Sequence, residues 1–78
     1  MPFYRITVTD IYGHITQGVR QDHVVDIGMY YEKAKQKAIT AMKAKFKTIN
    51  VVMVTSNSDD VKEYMKAIKE ARISMAAM

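Results

Sequence analysis

The chain has 78 residues, no cysteine and a formal net charge of +4. A domain of this size buries only about 60% of the surface its unfolded chain exposes. Without thiols, neither a disulfide framework nor a thiolate metal site can reinforce the core, so self-association is the expected supplement.

No stretch approaches the roughly 18 apolar residues that a membrane span requires, and no signal-like segment follows the N-terminus. The expectation is one soluble, cytoplasmic domain over residues 1–78, without a membrane partner. Phe3 to Thr9 alternates, with Tyr4, Ile6 and Val8 on one side and Phe3, Arg5, Thr7 and Thr9 on the other. That period of two marks a half-buried strand. Asp10-Ile11-Tyr12-Gly13-His14 supplies a turn, since aspartate can bond its own backbone and Gly13 accepts positive φ without steric cost. A second strand from Ile15 to about Arg20 completes a hairpin, and Gly18 inside it is where a bulge is expected.

Residues 21–27 read either as an extension of that strand or as a connecting loop, with Asp26 capping a helix that begins near Gly28. Turning about 100° per residue from Tyr31 places Ala34, Ala38, Met42 and Phe46 on one stripe. Lys33, Lys37, Lys43 and Lys47 fall on the far side, while Lys35 and Lys45 sit nearer the stripe, where their stems can cover apolar surface.

The run from Ile49 to Thr55 is almost unbroken in apolar residues, which implies a strand needing cover on both faces. Ser58 then reads as a helix cap, and Asp59 and Asp60 oppose the positive end of the helix dipole. Val61, Tyr64, Met65, Ile68, Arg72 and Met75 follow at helical spacing. The order β-β-α-β-α with a right-handed crossover gives a single small α+β domain. Its three-stranded, mainly antiparallel sheet has the order 3-1-2, and both helices are expected on one face. Ile6, Val8, Ala38, Met42, Val51, Met53 and Ile68 are the expected core.

This topology leaves the most apolar strand at an edge, and natural proteins rarely leave such an edge bare. A homodimer is therefore expected, formed through the third strand's edge in preference to the open sheet face or the C-terminal helix. Val52, Val54, Met75 and Met78 are the candidate interface residues.

No motif names a reaction. Asp10, His14, Asp22, His23 and Asp26 cluster in sequence around the hairpin, but their spacing matches no metal-ligand pattern, so neither a metal nor a cofactor is expected. Gly13, Gly18 and Gly28 are too scattered to cradle a phosphate. Met1-Pro2 followed by a strand resembles the start of the small tautomerases. That resemblance implies Pro2 as a general base once the initiator is removed. It extends only over Pro2 and the first strand, because the next element reads as a hairpin partner rather than a helix.

No catalytic residue is assigned. The principal expectation is a non-enzymatic accessory or inhibitor protein of the kind phages and mobile elements encode, acting on a protein target. The alternative is a basic nucleic-acid-binding module of weak sequence specificity. In it Lys33, Lys37, Lys43 and Lys47, with Arg5 and Arg20, contact phosphates, and Phe3, Tyr12 or Tyr30 stack on bases.

Overall fold

The computed structural model describes residues 1–76, with side chains through Ile73. Strand β1 (Phe3–Asp10) and strand β2 (Ile15–Gln21) form the hairpin, followed by helix α1 (Ile27–Met42), strand β3 (Phe46–Val54) and helix α2 (Asp59–Ala76). The strand order is β2-β1-β3, with β1 antiparallel to both neighbours, as the sequence predicts. Ile6 stands opposite Gly18 on one side and Val51 on the other. The β1–β2 register continues through Gly18 without the expected bulge, and the irregularity lies instead between Thr9 and Asp10 on the β3 side.

The local signals act as the residue types require. Asp10 accepts hydrogen bonds from the backbone N–H groups of Tyr12 and His14, both at 2.9 Å, and Gly13 takes φ +82° in the turn between them. Residues 22–26 are a loop rather than strand, and Asp26 caps α1 by accepting from the Met29 N–H at 3.0 Å.

Helix α1 ends at Met42, four residues before the end of the predicted stripe. Lys43, at φ 55° and ψ −126°, turns the chain into a single 3-10 turn (Lys43–Lys45), and Phe46 opens β3 instead of closing the helix. Lys45 and Lys47 are accordingly off the helix.

On the face carrying Tyr4, Ile6 and Val8, the core is Tyr4, Tyr30, Ala34 and Val51. The Tyr4 and Tyr30 rings stack with centroids 3.9 Å apart and planes 8° apart. The Tyr4 hydroxyl donates to the Val24 carbonyl at 2.5 Å, tying the loop before α1 to the sheet. Burial, with the charges of Asp22 and Asp26 adding to it, raises the pKa of Tyr4 and keeps the phenol in its donating form.

The expected core was only partly right. Val51 is buried, but Ile6, Val8, Ala38, Met42 and Ile68 are half-buried and Met53 is exposed. Tyrosines 4 and 30, whose wide rings span the distance from sheet to helix, supply the burial instead.

The helices divide between the two faces, correcting the expectation that they share one. Alternation along β1 puts Arg5 and Phe3 opposite to Tyr4, and these two residues meet α2. Arg5 binds Asp60, and the Phe3 ring meets that of Tyr64 edge-on with centroids 6.3 Å apart. Val61 is fully buried on this side and Val19 is buried in β2. Since β3 ends beside Phe3, a short turn delivers the start of α2 to the Arg5 side chain, and that ion pair helps hold the helix on this face.

Candidate binding surface

Three groups of polar residues hold the fold and define what remains for binding. Arg5 Nε lies 2.5 Å from Asp60 Oδ2, while Arg5 Nη2 donates to Asp60 Oδ1 at 3.1 Å and to the Ser58 hydroxyl at 2.9 Å. Ser58 in turn donates to Asp60 Oδ1 at 2.6 Å, and the Val61 N–H donates to the same oxygen at 3.0 Å. The Arg5 bond, followed by that from Ser58, holds the Asp60 carboxyl far below its ordinary range. The same bond raises the pKa of Arg5. Arg5 is thus a clamp on α2, on the sheet face opposite to α1. The sequence carried Arg5 and Asp60 as separate signals, and only the topology joins them.

The second group is Asp22 with Lys33, at 2.5 Å. The Lys33 bond and the Val24 N–H lower the Asp22 pKa. The third is the hairpin turn, where the His14 ring nitrogen Nδ1 is 3.3 Å from Asp10 Oδ2. Partial burial opposes ionisation of Asp10, but the N–H groups of His14 and Tyr12 outweigh it and the pKa falls.

Asp10 and His14 lie at the hairpin end of the sheet, whereas Asp22, His23 and Asp26 follow the opposite end of β2. Strand rise over β1 separates the two sets by about 25 Å. Among the described residues, no three His, Asp or Glu side chains gather as a metal would require. Pro2 is half-buried, its carbonyl accepting from the Asp22 N–H at 3.3 Å, and β1 is followed by β2 rather than by a helix.

The other predicted basic residues are distributed as follows. Lys37 and Arg20 flank a slot between α1 and β2. Lys43 and Lys47 stand at the far end, around the 3-10 turn and the start of β3. Phe3 packs on Tyr64 and Tyr30 on Tyr4, while Tyr12 is exposed in the hairpin turn. The structure therefore does not gather the six basic candidates on one face.

Apolar exposure gathers in two other places. The first is β3. Among the described residues no strand pairs with its outer side. From Thr48 to Val54 it carries neither charge nor proline. Val52 is 43% exposed on one sheet face and Met53 45% exposed on the other, while Val54 is half-buried.

The second place is α2. Val61 is fully buried, Tyr64 and Ile68 are half-buried, Met65 is 50% exposed and Ile73 60% exposed. The helix crosses the Phe3–Gln21 end of the sheet and leaves it, and Gln21 with Met65, Ile68 and Arg72 lines the angle between them. Of the candidate interface residues, Val52 and Val54 lie along this β3 edge. Met78 and the side chain of Met75 fall outside the described residues.

Comparison with protein-family models, with curated proteins and with solved structures finds no match to this chain. No helix among the described residues is long and apolar enough to cross a membrane.

Proposed function

We propose that this chain is a small, non-enzymatic binding protein that works as a homodimer joined through β3 and acts on a protein target. One observation carries the reading: β3 has an uncharged outer edge from Thr48 to Val54, with apolar side chains exposed on both sides of it. Natural sheets protect such edges with lysine, proline, bulges or a covering element. The β3 edge has no lysine or proline between Thr48 and Val54, and its register irregularity lies near the start of the strand, beside Thr9 and Asp10. Pairing β3 with its symmetry mate gives a continuous six-stranded sheet, satisfies the outward backbone groups, and covers Val52 and Met53 in a molecule too small to do so alone.

The polar groups support the same reading. Arg5, Asp60, Asp22, Lys33 and Asp10 are each engaged in holding an element in place. Binding then falls to the surfaces left over, including the projecting half of α2.

Sedimentation equilibrium tests the proposal. The wild-type chain is expected to be a dimer at high micromolar concentration. Asn50→Lys, an exposed mid-strand position, places like charges at the seam and yields a monomer with unchanged circular dichroism. A wild-type monomer at that concentration removes the reading, and an Asn50→Lys dimer moves the seam away from β3.

A further inference from the structure

Ile6 and Val8 belong to the central strand and to the sheet face under α1, yet both are only half-buried. The cause is the placement of α1, which packs chiefly on β3. On the β2 side the strand presents Thr16, Gly18 and Arg20 to this face, in register with Val8, Ile6 and Tyr4. A slot of about 230 Å³ remains, floored by Ile6, Val8 and Ile49 and walled by Ala34 and Ala38 of α1. Interiors are ordinarily close-packed, so an open apolar slot reaching a central strand is a place where a ligand's hydrocarbon can replace missing protein.

The remaining lining is selective in charge. Arg20, Lys37, Asp22 and the Tyr30 side chain border the same slot. The Asp22 carboxylate is already matched by Lys33, at 2.5 Å. Lys37 makes no ion pair among the described residues, and the Arg20 guanidinium donates to the adjacent Val19 carbonyl at 2.8 Å. Arg20 and Lys37 therefore leave two positive charges beside an apolar floor. A phosphate or a nucleic-acid backbone matches the charge but wastes the floor, and an uncharged hydrocarbon matches the floor but leaves the cations. The slot is also smaller than the roughly 300–1,000 Å³ of most small-molecule pockets, which limits the body of its occupant.

We propose that the slot between α1 and β2 binds a short-chain aliphatic carboxylate. Its hydrocarbon lies on Ile6 and Val8 against Ala34 and Ala38, and its carboxylate is held between Arg20 and Lys37. The slot meets β3 only at Ile49, on the sheet face and not on the outer edge of that strand, so it stands whether or not the chain dimerises.

Titration of the ¹⁵N-labelled chain with sodium octanoate, sodium hexanoate and 1-hexanol, all below micelle-forming concentrations, tests this. Octanoate should shift the amides of Val8, Arg20 and Lys37 saturably. It should bind about 16-fold more tightly than hexanoate, since each buried methylene contributes about 0.8 kcal/mol, or close to fourfold. Hexanol should bind more weakly than hexanoate, and Lys37→Gln should remove most of that difference while leaving hexanol unchanged.

Ala38→Leu should fill the slot and abolish the octanoate shifts. Ala38 is a half-buried wall residue of the slot on α1, where leucine is a good helix former. Should the leucine variant fold poorly, Lys37→Gln still decides, because the Lys37 side chain is exposed. The proposal is overturned by octanoate shifts that do not saturate, by equal affinities for hexanoate and hexanol, or by binding that persists unchanged in a folded Ala38→Leu protein.

Discussion

The division of α2 into a packed first half and a projecting second half makes a graded mutational prediction. Val61 is fully buried between α2 and the sheet. Val61→Ala removes two methyl groups, worth about 0.8 kcal/mol each in lost burial, and the cavity left behind adds to this. Alanine returns about 0.5 kcal/mol as the better helix former. The net loss is about 2 kcal/mol, a substantial part of the about 4–12 kcal/mol typical of a domain this size. It corresponds to a fall in Tm of about 8–16 °C. Ile68→Ala removes more hydrocarbon from a half-buried site and should cost about 1 kcal/mol. Met65→Ala, at a position 50% exposed, should cost about 0.5 kcal/mol or less. Urea denaturation followed by circular dichroism at low micromolar concentration measures all three. Equal losses at Val61 and Ile68, or a larger one at Ile68, would refute the argument by showing α2 packed along its whole length.

Lys43 holds φ 55° and ψ −126°, a region costly for a residue with a Cβ, so Lys43→Gly should stabilise the chain by about 1 kcal/mol after the added freedom of the unfolded glycine is subtracted. A lower urea midpoint for that variant would contradict the backbone assignment. The Asp60 carboxyl is depressed in the folded state by Arg5 and then Ser58, so the unfolded chain takes up the proton first. The stability that the ionised carboxylate contributes is therefore complete above about pH 5 and declines as the pH falls below about 4. The urea midpoints of wild type and Asp60→Asn should converge across that range, while a constant gap from pH 7 to pH 2 would show that the ion pair is not the source.

The hairpin, both helix starts and the strand order were legible because each rests on a local or topological rule. Asp10 and Gly13 make the turn, Asp26 caps α1, and the crossover through α1 places β3 beside β1. The end of α1 was not legible. Its stop is a lysine in a conformation usually left to glycine, and Phe46 continues the helical spacing by coincidence.

The face taken by α2 was hidden for a different reason. β3 is apolar on both sides, so its pattern does not prefer a face, and α2 is held on its face by long-range contacts: buried Val61, Phe3 against Tyr64, and an ion pair between residues 55 positions apart. Arg5 consequently looked like a free cation suited to phosphate, although it is bound to Asp60 and Ser58. The slot between α1 and β2 was equally hidden, because it arises from where α1 rests on the sheet.

The central position of β1 has a consequence during synthesis. β1 is made before both of its partners, and β2 can pair with it early, but its other partner ends at Val54, 44 residues after Asp10. At about 5–20 residues per second, β3 is completed roughly 2–9 s after β1. For that interval the nascent hairpin carries Tyr4, Ile6 and Val8 on a strand with one side open to any extended segment nearby. The strand that becomes the best protected in the finished molecule is thus the one most in need of shielding at the ribosome.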